Sequence, residues 1–230
     1  MEHNIKQDTW KHMAGEAAAQ LIEDGMILGL GSGSTATQLI YAVARRIQEG
    51  LRIAGAIATS HASEELARNL DIPLTTLDTH PVVDLDIDGA DEIDAQLRLI
   101  KGGGGYLLRE KIVASNSQRF IVIGDITKQV AQLGQTASLP VETIPFATTP
   151  VSKRLEALGA TVQLRRLGDS VYITENCNVI LDCFFAGGIA DPEDLEARIR
   201  KITGVVETGL FLNIAKQAII GGPDGVIVLP

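Results

Sequence analysis

Three short stretches of this 230-residue chain combine glycines with ionisable or hydroxyl side chains. They are GSGSTA at 31–36, DGADE at 88–92 and KGGGGYLLRE at 101–110. The first offers hydroxyls and a permissive backbone, which suit a phosphate group. The second offers paired carboxylates, and the third a lysine and a glutamate, which suit proton transfer. We therefore expect acid–base chemistry on a small phosphorylated molecule.

The GSGSTA stretch lies between a predicted strand, MILGL, and a predicted helix. The N–H groups and the positive dipole end of that helix then point at the loop. Gly31, Gly33 and Ala36 also fit the G-x-G-x-x-G/A nucleotide fingerprint, but the next predicted strand does not end in the acid that this fingerprint requires. The expected phosphate-ester site consists of Ser32, Gly33, Ser34 and Thr35. The alternative is a tight turn in which Thr35 forms a capping box with Gln38.

The DGADE stretch follows a predicted strand, VVDLDID, whose last residue is Asp88. Gly89 permits a turn that returns Asp91 and Glu92 beside Asp88, at the strand end where α/β proteins bind ligands. Clustered acids could hold a divalent metal, but none of the four histidines is spaced to complete such a site. The other interpretations are paired carboxylates that handle the hydroxyl protons of a polyol and, for Glu92 and Asp94, a solvated acidic turn.

In the third stretch Lys101 ends a short predicted strand, and Glu110 lies in a helix that begins at about Tyr106. The glycines 102–105 could form a mobile hinge or a backbone wall close to a ligand. Glu110 could be an exposed helix residue paired with its charged neighbours. Alternatively, Lys101 and Glu110 belong to a catalytic site, and the stretch alone does not decide between these interpretations.

Strands and helices alternate along the first part of the chain, which predicts an α/β domain with a mostly parallel, Rossmann-like sheet. Near Gln132 the order changes to strand, helix and three strands, followed by a helix capped by Asp191 with Pro192 in its first turn. This order predicts a smaller α+β, ferredoxin-like domain with an antiparallel sheet. The expected domains are residues 1–131 plus 206–230, as the α/β catalytic domain, and residues 132–205, as a small domain for oligomerisation.

The composition narrows the class of protein. The formal net charge is −9, the sequence pI is about 4.9 and no Lys/Arg cluster occurs. We therefore expect neither nucleic acid nor a membrane as partner. No apolar run approaches the ~20 residues of a transmembrane helix, and the first residues lack the apolar region of a signal peptide. Cys177 and Cys183 imply no disulfide framework. These features predict a soluble cytoplasmic protein.

In this order, GSGSTA, DGADE and KGGGG-x-x-x-RE resemble the ribose-5-phosphate isomerases of the A type, which are metal-independent aldose–ketose isomerases of the pentose phosphate pathway. The thirteen-residue step from Asp88 to Lys101 and the nine-residue step from Lys101 to Glu110 match the family pattern. The stretches GDITKQV, NVILD and GVVETGLF extend the resemblance over most of the chain.

The resemblance implies a role for each matching residue. Glu110 is the general base that moves a proton between carbon 2 and carbon 1 of the open-chain sugar, and Lys101 steadies the enediolate oxygens. Asp88 and Asp91 hold sugar hydroxyls and assist ring opening. The other implied substrate contacts are Ser32, Gly33, Ser34, Thr35, Gly89, Ala90, Gly102, Gly103, Gly104, Lys128 and Lys11.

The resemblance also implies no metal, no redox cofactor, a phosphorylated pentose as substrate, and a homodimer or homotetramer. One departure is Cys177, which stands in TENCN where the family has a turn glycine. Two alternatives remain. One is a related enzyme such as a glucosamine-6-phosphate deaminase, whose expected histidine has no evident counterpart here. The other is a non-catalytic sugar-phosphate sensor, which normally carries an N-terminal DNA-binding module.

Overall fold

The computed structural model describes residues 2–230. Its helices are α1 (Glu2–Ala19), α2 (Ser34–Gln48), α3 (His61–Asn69), α4 (Leu107–Ser115), α5 (Thr148–Glu156) and α6 (Pro192–Ile199). Its strands are β1 (Ile27–Leu30), β2 (Gly55–Ala58), β3 (Val83–Gly89), β4 (Glu92–Ile93), β5 (Leu99–Ile100), β6 (Ser117–Asp125), β7 (Leu139–Thr143), β8 (Ala160–Leu164), β9 (Arg166–Leu167), β10 (Ser170–Val171), β11 (Val179–Phe185), β12 (Val205–Thr208), β13 (Leu210–Phe211), β14 (Ala215–Gly222) and β15 (Gly225–Leu229). Short 3₁₀ turns cover Ile126–Lys128 and Pro145–Ala147. Within residues 2–230, no helix is long and apolar enough to cross a membrane.

Two compact units divide the chain, and the first comprises the segments up to Ala90, Arg109–Lys128 and Ile214–Pro230. Its six-stranded sheet has the order β2-β1-β3-β6-β14-β15, in which all neighbours are parallel except β14 and the edge strand β15. Strand β1 is buried at every position, as expected for a parallel sheet that helices cover. The apolar residues of α1 and α2 share one buried cluster with those of β1, β3 and β6.

The start of α2 differs from the predicted capping box. The helix begins at Ser34, its N-cap residue is Gly33, and no side chain caps it. Gly33 has a φ of 96°, in the left-handed region that a residue with a Cβ adopts only at a cost. Thr35 therefore lies inside the first turn rather than at the cap. The capping-box prediction is wrong, because the glycine and not the threonine makes the turn into the helix.

The second unit comprises Asp91–Leu108 and Gln129–Asn213. Its main sheet is antiparallel with the order β12-β7-β11-β8, and α5 and α6 complete the βαββαβ order of a ferredoxin-like unit. The predicted cap of α6 is present, since the Asp191 carboxylate accepts from Asp194 N at 2.9 Å. Of the three consecutive strands predicted after the first helix of this unit, the middle one, SVYIT at 170–174, forms only the short β10, in a two-stranded ribbon with β9. A mostly parallel sheet together with a smaller antiparallel α+β sheet is therefore confirmed.

The boundary between the units differs from the predicted one at residues 91–108. The sequence placed this segment in the α/β domain. In the structure β4 and β5 form a three-stranded sheet with β13, and Ile93 bridges to Gln129, so the segment belongs to the second unit. These strands are only two residues long, and their partners lie far away in sequence. Local patterns therefore do not reveal the pairing.

Candidate active site

The loops with candidate residues in the first unit leave neighbouring parallel strands at the same edge of the sheet. Leu30, the last residue of β1, pairs with Ile87 of β3, and Gly89 of β3 pairs with Ile123 of β6. GSGST follows β1, Asp88 and Gly89 end β3, and the turn to Lys128 follows β6. The carboxyl edge of a parallel sheet is where α/β proteins bind ligands. The topology thus brings these three loops to one edge of the first unit's sheet.

Asp88 is held against the first loop. It is buried, and its Oδ1 accepts from Ser32 N at 2.9 Å and from Gly89 N at 2.6 Å. A Cβ on Gly31 would overlap the Asp88 carboxylate, so the close approach requires glycine there. The loop and the carboxylate therefore form one rigid piece of structure.

The outer part of the loop meets the requirements of an anion site. Gly33 and Ser34 are exposed and Thr35 is buried beneath them. The first-turn N–H groups of a helix have no intrahelical acceptor, and the helix dipole favours negative charge there. Because no side chain caps α2, its first turn is suited to a phosphate.

Behind the loop, buried hydroxyl groups form a hydrogen-bonded cluster. Ser32 Oγ donates to Ser60 Oγ at 2.7 Å, and Ser60 Oγ donates to Ser63 Oγ at 3.1 Å. Ser63 Oγ then donates to the carbonyl oxygen of Gly31 at 2.7 Å. The Thr59 hydroxyl lies 2.7 Å from Ser32 Oγ. The Ser32 hydroxyl proton is therefore used inside the cluster, and the Gly31 carbonyl is fixed from behind. Sequence reasoning did not select Ser60 or Ser63.

Glu110 lies in the first turn of α4 and is 5% exposed. Val113, one turn further along α4, lies against Gly29 of β1. A Cβ on Gly29 would lie only 2.7 Å from the Cγ1 of Val113. A helix between parallel strands runs antiparallel to them, so its first turn lies toward their carboxyl edge. The interpretation of Glu110 as an exposed surface residue is therefore wrong.

Two candidate lysines lie near the end of β6. Lys128 ends a 3₁₀ turn that Asp125 anchors, since Asp125 Oδ1 accepts from the backbone N and the hydroxyl of Thr127. Lys11 lies on α1 and pairs with Asp8 across 3.8 Å. The preceding residue of α1, Trp10, packs closely on Gly221 of β14, since a Cβ on Gly221 would overlap the backbone of Trp10. Gly221 is the residue that pairs with Asp125 of β6. Lys11 and Lys128 therefore both belong to this end of the sheet.

The candidates of the second unit surround the glycine run. Lys101 is 2% exposed, its backbone N donates to Gly209 O at 2.9 Å, and its Nζ lies 5.4 Å from the centroid of the Phe211 ring. Gly103 N donates to Asp91 Oδ2 at 2.7 Å. Gly103 and Gly104 are exposed. The structure therefore connects Asp91 to the glycine run and buries Lys101 at its start.

Glu92 and Asp94 differ from the solvated turn considered above, because both are buried. Glu92 accepts from the backbone N of Gly134, Thr136 and Ala137 at 2.5 to 2.8 Å. Asp94 Oδ1 accepts from the backbone N of Gln96 and of Arg98 at 2.9 Å, and its Oδ2 accepts from Arg98 Nε at 2.6 Å. Both acids therefore hold the backbone of the second unit. Among the side chains of residues 6–230, no three of His, Cys, Asp or Glu form a group that could hold a metal ion.

Burial raises the pKa of two side chains of the second unit, Tyr172 and Cys183. Burial raises the pKa of the Tyr172 hydroxyl, Tyr106 acts in the same direction, and Arg165 lowers it. The Tyr172 hydroxyl therefore stays protonated near neutral pH, and it donates to Gly104 O at 3.2 Å. Burial raises the pKa of the Cys183 thiol to about 12, with a smaller contribution from Asp182. Cys183 is thus a buried thiol that stays protonated near neutral pH.

The sequence is similar to proteins of one known family. Residues 55–225 match the family model described as Ribose 5-phosphate isomerase A (phosphoriboisomerase A). The chain is 50% identical over 228 residues to Ribose-5-phosphate isomerase A of Roseiflexus sp. (strain RS-1), covering 98% of this chain and 97% of that protein. It is 49% identical over 216 residues to the Bacillus mycoides (strain KBAB4) protein of the same name, covering 94% and 97%.

Solved structures give the same result. A D-ribose-5-phosphate isomerase in complex with phospho-erythronic acid superposes with a TM-score of 0.94 at 37% identity, covering 97% of this chain and 98% of the other. The ribose 5-phosphate isomerase of Plasmodium falciparum superposes with a TM-score of 0.93 at 38% identity, covering 96% and 98%. The similarity thus extends over both units.

Proposed function

Because the chain belongs to the ribose 5-phosphate isomerase A family, we propose that it interconverts D-ribose 5-phosphate and D-ribulose 5-phosphate, with Glu110 as the base. The observation that carries the assignment is the burial of two ionisable groups, Glu110 and Lys101, each in a segment that matches the family. Burying a charge is costly unless the surroundings stabilise it, and such groups mark functional sites. The deaminase and the sensor are not favoured. The relatives that match almost the whole chain are named as isomerases.

The chemistry is a proton transfer between adjacent carbons. Asp88 and Asp91 hold sugar hydroxyls and assist opening of the furanose ring. The Glu110 carboxylate then removes the proton from carbon 2, the C–H electrons form the C1=C2 bond, and the carbonyl electrons move to O1. The O2 proton is transferred to O1 as carbon 2 becomes a carbonyl, and Glu110 returns its proton to carbon 1.

The enediolate formed on the way carries negative charge that Lys101 and the N–H groups of the glycine run stabilise. The phosphate binds at the first turn of α2, through Gly33, Ser34 and Thr35, with Ser32 holding the loop in place. Lys128 and Lys11 add positive charge for the phosphorylated sugar. The same substrate contacts Gly89, Ala90, Gly102, Gly103 and Gly104. No metal or redox cofactor enters these steps.

An assay of ribose 5-phosphate conversion tests the proposal. The unmodified protein should turn over, with and without a chelator, and Glu110→Gln should lose exchange of the carbon 2 proton with solvent while still binding substrate. Glu65→Gln, an exposed glutamate on α3, is the matched control. No turnover by the unmodified protein would refute the isomerase assignment. Retained exchange in Glu110→Gln would remove Glu110 as the base, and loss of turnover with chelator would refute the metal-independent mechanism.

We further propose that the protein is cytoplasmic and forms a homodimer or homotetramer through the second unit. Large apolar side chains are exposed there, at Leu167, Val171, Ile173 and Phe184. Contiguous exposed apolar surface is typical of protein–protein contacts. Light scattering should give a mass of two or four chains, and Leu167→Asp with Phe184→Asp should give a monomer. The cytoplasmic assignment is supported by two free cysteines, and cell fractionation tests it.

A further inference from the structure

The glycine run in the second unit is held from behind by side chains that no role has been assigned to. Arg165 Nη1 donates to Gly102 O at 2.7 Å and to Gly103 O at 3.1 Å. Tyr172 donates to Gly104 O. Three consecutive carbonyl oxygens of the run are therefore fixed by side-chain donors. This arrangement argues against a mobile hinge.

Arg165 is itself rigidly placed. Its Nε donates to Asp182 Oδ2 at 2.9 Å and its Nη2 to Asp182 Oδ1 at 2.5 Å, a bidentate pair in which both side chains are largely buried. Ser138 Oγ donates to the same Asp182 carboxylate at 3.0 Å. A guanidinium group is a planar fork that can bridge a carboxylate and two carbonyls at once, whereas a lysine ammonium cannot match this geometry.

Fixing a carbonyl also fixes the N–H group of the next residue, because the peptide unit is planar and its C=O and N–H point in opposite directions. The Gly102 carbonyl, bound by Arg165, belongs to the peptide whose N–H is that of Gly103. That N–H donates to Asp91 Oδ2. The Gly103 carbonyl in turn sets the direction of the Gly104 N–H, on the exposed part of the run.

We propose that Arg165, oriented by Asp182, is a positioning residue for the isomerase reaction, which acts through the peptides of the glycine run on Asp91 and on the Gly104 N–H. The proposal rests on the proposed function, since it takes the run as a wall of the substrate site. Without the Arg165 guanidinium, the carbonyl groups of Gly102 and Gly103 lose the donor that fixes the orientation of their peptide planes. A misplacement of about 1 Å can cost about a hundredfold in rate, so we expect kcat/KM to fall roughly ten- to hundredfold.

The test separates this role from simple charge neutralisation of Asp182. Arg165→Met is compared with Arg165→Met/Asp182→Leu, in which an apolar pair replaces the ion pair, and with Arg166→Met as the control. Arg166 is the adjacent, exposed arginine, and its guanidinium donates to Asp169 O within its own hairpin. For each variant, kcat and KM are measured well below its melting temperature, and amide hydrogen exchange is followed in a peptide covering residues 101–106.

Both Arg165 variants should show faster exchange in this peptide and reduced kcat/KM, even where the apolar pair restores the melting temperature. Arg166→Met should match the unmodified protein in both. The proposal is overturned if the apolar pair restores kcat/KM, if exchange in residues 101–106 stays slow while kcat/KM falls, or if exchange rises with kcat/KM unchanged. Turnover by the unmodified protein and its loss in Glu110→Gln test the isomerase assignment separately, so the two failures are distinguishable.

Discussion

Replacing Ser63 with alanine tests whether the buried hydroxyl cluster holds the phosphate loop. The Ser63 hydroxyl donates to Gly31 O at 2.7 Å and accepts from Ser60 Oγ at 3.1 Å, and the residue is 6% exposed. In Ser63→Ala the Gly31 carbonyl and the Ser60 hydroxyl each lose a partner. A buried polar group left unsatisfied costs about 1–3 kcal/mol, and because the Ser60 hydroxyl can rotate toward another acceptor we expect a total of about 2 kcal/mol.

This loss should be visible in both stability and activity. For a chain of this length 1 kcal/mol corresponds to about 2–4 °C, so the melting temperature should fall by about 4–8 °C. Release of the Gly31 carbonyl also frees the Ser32 N–H that donates to Asp88. A displacement of about 1 Å can lower the rate about a hundredfold. Because we expect the loop to shift by less than that, kcat/KM for ribose 5-phosphate should fall roughly tenfold.

Thermal melts followed by circular dichroism and steady-state kinetics measure the two effects. Ser152→Ala is the control, because Ser152 on α5 makes only an exposed hydrogen bond to Glu156. An unchanged melting temperature in Ser63→Ala would refute the energetic argument. A lowered melting temperature with unchanged kcat and KM would show that the cluster stabilises the fold without positioning the loop.

The remaining predictions concern Gly31 and the two cysteines. In Gly31→Ala the new Cβ would overlap the Asp88 carboxylate, so kcat/KM should fall by about a hundredfold or more. Cys177 has a φ of 61°, so Cys177→Gly should relieve left-handed strain of about 1–2 kcal/mol, offset by the greater freedom of glycine when unfolded, and raise the melting temperature by about 2–3 °C. Because Cys177 is exposed and burial raises the pKa of Cys183 to about 12, a chromogenic thiol reagent at pH 8 should titrate one thiol in the native protein and two after unfolding. The Cys183 thiol has its ordinary pKa of 9.0 in the unfolded chain and a pKa of about 12 in the folded protein. As the pH rises from 9.0 toward about 12, the unfolded thiol therefore loses its proton first, and the contribution of Cys183 to the free energy of unfolding falls.

Local patterns predicted the parts of the site that local sequence determines. A strand, glycines and an amphipathic helix in succession are enough to place GSGST at a helix N-terminus, and an apolar alternation ending in Asp88 places that acid at a strand end. Arg165 was not found, because nothing near it distinguishes it from Arg166. Its partners are Asp182 on a neighbouring strand and glycines more than sixty positions away. Such pairings appear only when the chain is folded.

Glu92 is a second residue whose environment could not be predicted from the local sequence. Its position in a short run of acids suggested solvent, yet its carboxylate is buried by backbone N–H groups more than forty residues later. A carboxylate that accepts several N–H bonds needs no cation beside it. Composition alone therefore gives the wrong environment, because the stabilising donors are main-chain groups that any sequence could supply.

The two acids assigned to the sugar are held by the same construction, one in each unit. In the first, Ser63 donates to Gly31 O, and the N–H of that peptide, from Ser32, donates to Asp88. In the second, Arg165 donates to Gly102 O, and the N–H of that peptide, from Gly103, donates to Asp91. A peptide plane thus carries the orientation of a buried donor to a carboxylate. Such an arrangement requires a residue small enough for the donor and the carboxylate to approach the peptide closely. This requirement explains why the carbonyl that accepts from the buried donor belongs to a glycine in both places, Gly31 and Gly102.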